Sequence, residues 1–410
     1  MRCAAAAPSV LWLAVSVPRL SSGSALPCRA ASGTGAPNVT SVTNGTCFAA
    51  GGGGLFGRVV AFGDSLSDMG NLFRLTNGSR PRPDVYWRGR MSNGPVWVEW
   101  FRQALGAPCI RDYAFIGSSS DTQLIQGYAE AGPGRRLPVP GARQQIEQYL
   151  REDEGGAARK EKEEEEAEEK GTLVSVWTGS NNFLGPLVDK SVWKAISAVR
   201  SGPTTIVEGI RLLSDGGGGG DGDGTVGGAR RPRRRTRNLL VLNLPPIDRT
   251  PAARRVANEA GPLARWLARA VFPRVLRQLN RDLRTGLESV AAAARRPLRI
   301  ALFDVHGVTA DTIDNRRGGF KNFDDACVKF SPAPETGEAG GEAEKAANVC
   351  ADPNSHFFYD DVHPSARAHR ILGAAVAAFA RACFTANLTR TAFKPANASW
   401  ADSACYGRLA

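Results

Sequence analysis

Five short apolar segments, rich in β-branched residues, alternate along this chain with longer segments of helical periodicity. Each apolar segment ends in or just before Gly, Asn, Asp or Ser, which predicts a buried strand that stops at a turn. Strands that alternate with helices form a parallel sheet covered on both faces, so the pattern predicts a three-layer α/β/α fold. The predicted strands are Arg58 to Phe62, Cys109 to Phe115, Thr172 to Trp177, Asn238 to Asn243 and Leu298 to Asp304. The predicted helices are Pro95 to Leu105, Ala142 to Arg151, Val192 to Leu213 and Pro262 to Ala293.

The longest predicted helix, Pro262 to Ala293, carries an apolar stripe of residues spaced three and four apart. This spacing is typical of a helix that buries one face. We therefore expect the stripe, which includes Leu263, Trp266 and Leu279, to face the core.

Polar residues and glycines follow three of the predicted strands. They are Gly63-Asp64-Ser65, Gly117-Ser118 and Gly179-Ser180-Asn181. In a parallel α/β sheet the ligand crevice lies outside the carboxyl ends of the strands. The sequence therefore predicts that the three segments converge on one site.

Ser65 stands where the first predicted strand gives way to the next element. A serine in this position is exposed at the strand end, and backbone N–H groups of a following helix point at the same place. The position also suits a helix N-cap, a common role for serine. Ser65 alone therefore predicts either a nucleophile or a helix cap.

The segment Asp360-Asp361-Val362-His363-Pro364 supplies a carboxylate and an imidazole three residues apart. With Ser65 these groups are the parts of a Ser-His-Asp nucleophilic centre, so ester hydrolysis is the leading interpretation. The spacing favours Asp360 over Asp361 as the carboxylate that orients His363. We expect structural or surface roles for the other histidines, which are His306, His356 and His369.

Four segments resemble the blocks of the GDSL family of lipases and esterases, also called SGNH hydrolases. Gly63 to Asn71 resembles the first block, Tyr113 to Gly117 the second, Trp177 to Asn182 the third and Asp360 to Pro364 the fifth. The blocks occur in the family's order. The resemblance implies a flavodoxin-like fold with a mostly parallel five-stranded sheet. It also implies catalytic roles for Ser65, Asp360 and His363, and an oxyanion hole formed by Ser65, Gly117 and Asn181.

Two further segments are similar to a subgroup of secreted acylhydrolases and lecithinase- or hemolysin-like proteins. These segments are Gly89 to Trp97 and Asn243-Leu244-Pro245-Pro246. Asn182 departs from the family pattern, which usually has aspartate there, so the local hydrogen bonding is expected to differ while Asn181 is kept.

Residues 1–25 have the layout of a secretory signal peptide, with one early positive charge, an apolar stretch and small residues up to Ala25. The alternative is a disordered Ala-rich leader. Asn-x-Ser/Thr sequons are useful only to a chain that enters a glycosylating compartment, and they occur at Asn38, Asn44, Asn77, Asn387 and Asn397. No other apolar stretch approaches the roughly 20 residues needed to span a bilayer. We therefore expect a secreted protein.

We expect one catalytic domain over residues 56–384, with a flexible, glycosylated leader at 26–55 and a tail at 385–410. Low-complexity insertions interrupt the domain at 152–170, 214–237 and 331–347. The net charge of +12 invites a nucleic-acid interpretation, but the arginine run Arg230 to Arg237 lies in a Gly-rich insertion without aromatic residues to stack on bases. We therefore interpret the run as a solvated linker and expect no nucleic-acid partner.

The cysteines outside the predicted signal peptide number seven and lack Cys-x-x-Cys spacing, which favours disulfides over a metal site. Sequence does not fix connectivity. The expected pairs are Cys47 with Cys109, Cys327 with Cys350, and Cys383 with Cys405, which leaves Cys28 in a mobile leader.

No metal-ligand motif or phosphate-binding loop occurs in the sequence, so we expect no cofactor and no metal. The leading prediction is a secreted, monomeric ester hydrolase that works through an acyl-enzyme. An acyltransferase on the same intermediate, or a non-catalytic protein that binds glycan or membrane, remains an alternative. Phospholipid, acylglycerol and acetylated saccharide all remain open as the ester, and transient contact with a membrane or polysaccharide surface is expected.

Overall fold

The computed structural model describes residues 26–27, 44–47, 54–132, 134–155, 171–183, 192–215, 236–259, 261–295, 297–331, 347–385 and 403–408. The predicted signal peptide, Cys28 and most of the three predicted insertions lie outside the described residues. The strands are β1 Leu26–Pro27, β2 Asn44–Cys47, β3 Arg58–Gly63, β4 Cys109–Asp112, β5 Gly127–Gly132, β6 Arg135–Val139, β7 Thr172–Trp177, β8 Asn238–Leu242, β9 Leu298–Phe303, β10 Val328–Phe330, β11 Ala347–Val349 and β12 Ala404–Arg408. The α-helices are α1 Asn71–Leu75, α2 Trp97–Leu105, α3 Ala142–Gly155, α4 Val192–Asp215, α5 Pro251–Glu259, α6 Gly261–Ala270, α7 Phe272–Ala293, α8 Val305–Asp314 and α9 Ala366–Thr385.

The central sheet contains the five predicted strands as its parallel core. Its order is β1-β2-β4-β3-β7-β8-β9-β12. Strands β4, β3, β7, β8 and β9 pair in parallel, whereas β1, β2 and β12 pair antiparallel at the two edges. The predicted α/β/α fold with a mostly parallel sheet is confirmed, and the sheet is wider than five strands. The added edge strands come from residues outside the range 56–384 that we assigned to the domain.

Side chains of successive residues in the central strands enter two different cores, because alternate residues of a strand point to opposite faces. Val59 packs with α2 and α9 on one face, whereas Val60 packs with α3, α4 and α7 on the other. Leu239 and Leu240 divide in the same way in β8. Helices therefore cover both faces of the sheet, which leaves the strand ends as the place where a crevice can open.

The longest predicted helix is divided in two. It breaks between α6 and α7 around Val271, with Pro273 in the first turn of α7, because proline is favoured where a helix begins and disrupts a helix interior. Leu279 is buried as expected, but Trp266 is 59% exposed. The expectation that Trp266 faces the core is therefore wrong.

Two of the three expected disulfides are confirmed. Cys327 is joined to Cys350, and Cys383 to Cys405. Cys109 is also disulfide-bonded and lies opposite Cys47 in the β2–β4 register, so the pairing of Cys47 with Cys109 stays a prediction. In the described part of the chain, no helix combines the length and apolar character that a membrane span requires.

Candidate active site

The parallel strands run in the order 2-1-3-4-5 when they are counted along the chain, so the order reverses between β3 and β7. A crevice forms at such a switch point, outside the carboxyl ends of the strands. Ser65 follows β3, Gly117 follows β4 and Asn181 follows β7. The three predicted segments therefore meet at one edge of the sheet, and all three residues line the same cavity.

Ser65, His363 and Asp360 form a continuous hydrogen-bonded series across this edge. The Oγ atom of Ser65 lies 2.8 Å from Nε2 of His363. Nδ1 of His363 lies 2.9 and 2.8 Å from the two carboxylate oxygens of Asp360. The rival carboxylate, Asp361, pairs instead with Arg255 at the surface. Ser65 also has its side chain turned to the imidazole and makes no capping bond in the described structure, which disfavours the helix-cap interpretation.

Asp360 is 5% exposed, and its remaining hydrogen-bonding capacity is satisfied by the protein. Its Oδ1 atom accepts the backbone N–H groups of Val362 and His363, and its Oδ2 atom accepts the hydroxyl of Tyr86 at 2.8 Å. Burial and the Asp360 charge raise the pKa of Tyr86 far above its usual value, so this hydroxyl stays protonated and donates. The sequence alone gave no reason to place Tyr86 here.

The pKa values of the pair are shifted in the directions expected for an ion pair. Burial alone would lower the pKa of the His363 imidazole, but the charge and hydrogen bond of Asp360 outweigh burial and hold that pKa above its usual value. Burial would likewise raise the pKa of Asp360, but His363 and the backbone donors hold it below its usual value. The ionised carboxylate of Asp360 thus stabilises an imidazolium once His363 accepts a proton.

A second carboxylate, that of Asp64, lies beside Ser65 and is 1% exposed. Its Oδ1 atom accepts the N–H of Leu66, whereas Oδ2 has no hydrogen-bond partner among the described residues. Burial raises the pKa of Asp64 to about 6, although the nearby His363 acts in the opposite direction. In turn, the Asp64 charge contributes to the raised pKa of His363.

Gly117 has φ +83, in the left-handed region, and a Cβ atom built on it would lie 2.1 Å from the carbonyl oxygen of Tyr128. Glycine is therefore required here both by conformation and by space. Asp68 ties this loop to the serine turn, because its Oδ2 atom accepts the N–H of Ile116 at 2.9 Å. The loop that carries Gly117 is thus held at a fixed place relative to Ser65.

Asn181 and Asn182 fix the third segment to the second. The side-chain amide of Asn181 donates to the carbonyl of Ser118 at 2.9 Å, and because an amide carries two N–H groups, one remains to donate elsewhere. Asn182 is buried and bonds Ser120 twice: its Oδ1 accepts the Ser120 N–H and its Nδ2 donates to the Ser120 hydroxyl. The second of these bonds needs a donor, which an ionised aspartate would not provide.

Gln145 of α3 is a further residue that the sequence did not single out. Its amide accepts the N–H of Gly63 and donates to the carbonyl of Gly63, both at 2.9 Å, and it also donates to the hydroxyl of Ser118. It therefore joins the end of β3 to the loop after β4. Buried polar groups of this kind are satisfied by several partners at once.

The other three histidines lie outside the hydrogen-bonded series. His369 is 1% exposed, its Nδ1 accepts the N–H of Trp97, and burial lowers its pKa to about 3. His306 is partly buried, and desolvation lowers its pKa. His356 lies 3.5 Å from the sulfur of Cys350.

Within the described ranges, Cys327, Cys350 and His356 are the residues whose ligand atoms lie close enough together to hold a metal ion. The two sulfur atoms are joined in a disulfide. Metal binding requires thiolates, so the oxidised protein offers one imidazole there and no complete set of ligands.

A cavity of about 650 Å³ opens beside Ser65 and His363. Its volume lies within the usual range for small-molecule sites. Most of the wall is aliphatic and aromatic, formed by Val308, Ile313, Phe320, Phe357, Ile371 and Leu372. The wall also includes the polar groups of Ser65, Asn181 and His363, together with polar residues of α8 and α9 such as Thr309 and Arg370. Such a site can hold an apolar chain with its polar end against Ser65.

Comparisons with known proteins give a consistent result. The family model of GDSL-like lipases and acylhydrolases matches residues 59–376. The chain is 22% identical over 349 residues to a phosphatidylcholine-sterol acyltransferase of Aeromonas hydrophila, covering 79% of this chain and 90% of that protein. It is 23% identical to a thermolabile hemolysin of Vibrio parahaemolyticus, covering 76% of this chain and 61% of that protein. It is also 23% identical to a GDSL esterase/lipase of Arabidopsis thaliana, covering 78% of this chain and 89% of that protein.

Proposed function

The chain belongs to the family of GDSL-like lipases and acylhydrolases, and from that premise we propose that it is a secreted carboxylic ester hydrolase that acts through an acyl-enzyme on Ser65. The observation that carries the proposal is the hydrogen-bonded series from Ser65 Oγ through His363 to Asp360, with distances of 2.8 to 2.9 Å. Nucleophile, base and orienting carboxylate within hydrogen-bond reach are what this chemistry requires.

In the acylation step, Ser65 Oγ attacks the ester carbonyl carbon while its proton moves to Nε2 of His363. The imidazolium that forms is stabilised by Asp360, which keeps its own charge. The tetrahedral intermediate then collapses, and the departing alcohol takes the proton from Nε2. In deacylation, water attacks the acyl carbon while its proton moves to Nε2 of His363. The second intermediate collapses, Ser65 Oγ takes the proton back from Nε2, and the carboxylic acid is released.

Three donors are assigned to the oxyanion: the N–H groups of Ser65 and Gly117 and the second N–H of the Asn181 amide. Donors that are already in place when charge develops contribute roughly 2.7 to 4 kcal/mol each to catalysis. The bonds that Asp68, Asn182 and Gln145 make around these loops support the assignment, because they fix the donors before substrate arrives.

The apolar cavity beside Ser65 favours an ester with a long hydrocarbon acyl chain, as in a lipid. Placing an apolar chain against aliphatic and aromatic walls removes its surface from water, which contributes roughly 25 cal/mol per Å². A short acetyl group would leave most of the cavity unfilled. We therefore expect kcat/KM for p-nitrophenyl esters to rise from acetate to medium and long acyl chains.

The test of the activity is turnover of p-nitrophenyl esters by the protein and by its Ser65→Ala variant. We expect Ser65→Ala to retain the fold by circular dichroism and to lose turnover by several orders of magnitude. Ser180→Ala is the matched control, because Ser180 lines the same cavity and has no assigned role. Near-normal turnover in folded Ser65→Ala would refute the proposal.

Acyl transfer to an alcohol is a second candidate, favoured by the name of the Aeromonas hydrophila relative. It uses the same acyl-enzyme and differs in whether water or an alcohol attacks. Product analysis with a lipid ester and an added sterol or long-chain alcohol separates the two: free acid alone indicates a hydrolase, and a new ester indicates a transferase.

Secretion is part of the proposal and rests on the layout of residues 1–25, on the sequons and on the two disulfides, which persist mainly in oxidising compartments. Expression of the full chain in a secreting eukaryotic host tests it. We expect a product in the medium that begins near residue 26 and loses mass on treatment with an N-glycosidase. A product that retains residues 1–25 inside the cell would contradict it.

A further inference from the structure

Three large, exposed apolar side chains in the described part of the chain lie within one stretch of 16 residues. They are Val256 in α5 and Trp266 in α6, each 59% exposed, and Val271, 39% exposed, at the start of α7. Scattered exposed apolar residues are ordinary, but a group on adjoining elements indicates an interaction surface. We call the surface formed by α5, α6 and the first turns of α7 the α5–α7 face.

The α5–α7 face is strongly basic. Residues 251–281 contain seven arginines, at positions 254, 255, 265, 269, 274, 277 and 281, and a single acidic residue, Glu259. Two of the seven, Arg254 and Arg255, form ion pairs with Asp324 and Asp361. Arg269 lies three residues from Trp266, on the same exposed side of α6, since residues three apart on a helix are neighbours. On α6, an exposed apolar side chain and an exposed cationic side chain therefore lie next to each other.

The α5–α7 face adjoins the candidate active site directly. Thr250 lines the cavity beside Ser65, and the next residue, Pro251, is the first of α5. The N–H of Ala252 donates to the carbonyl of Asp361, two residues before His363. Arg265 of α6 donates to the carbonyl of Asn258 in α5, which holds α6 against the helix that borders the site.

A second groove, of about 1380 Å³, runs along α5 on the other side of the catalytic segment. Tyr86 and Asp361 belong to its wall, as do Arg254 and Arg255 of α5 and the exposed Phe330 of β10. Thr250, which directly precedes α5, therefore lines the cavity beside Ser65, whereas α5 itself lines this second groove.

An anionic lipid bilayer is the partner that suits this combination. Tryptophan is enriched at the level of lipid headgroups, and a helix that presents apolar and arginine side chains lies in the membrane interface. Each Lys or Arg near a negatively charged membrane contributes about 1 kcal/mol. An acidic polysaccharide would be attracted by the arginines but would leave Val256, Trp266 and Val271 in water. A second copy of the chain, docked through the same face, would bring like-charged arginines together.

We propose that the α5–α7 face docks this protein on anionic lipid bilayers, with Trp266 and Val256 inserted at the headgroup level and the arginines against lipid phosphates. Docking in this orientation brings the opening of the cavity to the membrane, so that an acyl chain passes from the bilayer towards Ser65. The inference builds on the proposed function, since it names the surface from which the ester is taken.

The test uses the full-length Ser65→Ala protein, so that binding is measured without turnover. Co-sedimentation is compared between vesicles of phosphatidylcholine alone and vesicles that also contain phosphatidylserine. We expect binding to the mixed vesicles to be at least tenfold stronger and to weaken at high salt. Adding Trp266→Ser and Arg269→Glu together should reduce that binding about tenfold or more.

Arg295→Glu is the matched control. Arg295 is exposed in the turn after α7. The 22 residues of α7 separate Arg295 by about 33 Å from the start of that helix, where α6 and Trp266 adjoin it. This variant should bind mixed vesicles almost as well as the parent. Circular dichroism of each variant checks that the fold is retained.

Unchanged vesicle binding by Trp266→Ser/Arg269→Glu, or equal binding to both vesicle types, would overturn the proposal. Heparin binding that competes fully with vesicles and does not change in Trp266→Ser would also overturn it and would assign the face to a polysaccharide. A dimer that the double substitution dissociates would overturn it as well and would assign the face to a second copy of the chain. Turnover of p-nitrophenyl esters with acetyl to long acyl chains is measured with Ser65 intact. If that turnover is absent while vesicle binding is as expected, the proposed activity fails and the docking surface stands.

Discussion

Replacing Asp64 by Asn should make the protein more stable near neutral pH and, at the same time, change the pH dependence of catalysis. Asp64 is 1% exposed, one of its oxygens has no hydrogen-bond partner among the described residues, and burial raises its pKa to about 6. In the unfolded chain the pKa of an aspartate is about 3.9. The folded protein therefore holds the Asp64 proton more tightly than the unfolded chain does.

The sign of the stability effect follows from this difference. Below about pH 3.9 the carboxyl is protonated in both states and its burial carries no charge penalty. As the pH rises from about 4 to about 6, the unfolded chain loses the proton first, so folding becomes less favourable by about 1.4 kcal/mol per pH unit. Over the shift of about 2 units the penalty reaches about 3 kcal/mol, and above about pH 6 it stays constant.

Urea denaturation of the protein and of Asp64→Asn, at about pH 4 and about pH 7.5, measures this penalty. The amide keeps an oxygen that can accept the Leu66 N–H and removes the buried charge. The free energy of unfolding of Asp64→Asn should therefore exceed that of the parent by about 2 to 3 kcal/mol more at the higher pH than at the lower. Asp361→Asn is the control, because that carboxylate is partly exposed and paired with Arg255.

Asp64→Asn should also lower the pKa of the catalytic base, His363. The Asp64 charge contributes to the raised pKa of His363, so its removal should move the acid limb of the kcat/KM profile to lower pH. If Asp64→Asn and the parent show the same pH dependence of stability and the same acid limb, Asp64 is not a buried carboxylate next to His363, and the reasoning fails.

The remaining predictions concern the hydrogen-bond donors around the site. Tyr86→Phe removes the hydroxyl that donates to Asp360 but keeps the ring, and it should lower the free energy of unfolding by about 1.5 to 3 kcal/mol and also lower kcat/KM. Urea denaturation measures the first effect and ester turnover the second. Tyr406→Phe, at a bond to Glu288 that is only partly buried, should have a smaller effect. Gly117→Ala should lower kcat roughly 100- to 1,000-fold, because the new Cβ atom would meet the carbonyl of Tyr128. Gly171→Ala is the control: Gly171 also has a positive φ, +84, but has nothing within 4 Å of the new Cβ position, so this variant should lower stability without that loss of kcat. Equal kcat values for the two variants would contradict the role of Gly117.

Local sequence predicted the parts of the site that lie within one segment. Ser65 follows an apolar strand, and Asp360 and His363 stand three residues apart, so both could be found without a structure. The parallel sheet was predictable for the same reason, since its strands are short apolar segments that alternate with helices. These signals depend on neighbouring residues alone.

Contacts between distant segments were not predictable in this way. Tyr86 reaches Asp360 across 274 residues of sequence, and Gln145 joins Gly63 to Ser118 from a helix that no motif marks. Nothing in the immediate neighbourhood of Tyr86 or Gln145 distinguishes either residue from an ordinary helix or loop residue. Their roles arise only when the sheet brings the loops together.

Trp266 shows a different limit. An apolar stripe with helical spacing predicts an amphipathic helix, but the spacing is the same whether the apolar face meets the protein core or another partner. The break around Val271 separates α6 from the buried part of α7, and Trp266 is left exposed. The same residue that the periodicity misplaced is the centre of the proposed membrane-docking face.

The most direct test of the central claim is the site of covalent modification by a long-chain fluorophosphonate, followed by intact-mass measurement and peptide mapping. If Ser65 is activated by His363, the reagent should add once per chain, on Ser65, and His363→Ala should slow the addition by several orders of magnitude. Modification of another serine, or equal rates of labelling in the protein and in His363→Ala, would contradict a nucleophilic centre built from Ser65, His363 and Asp360.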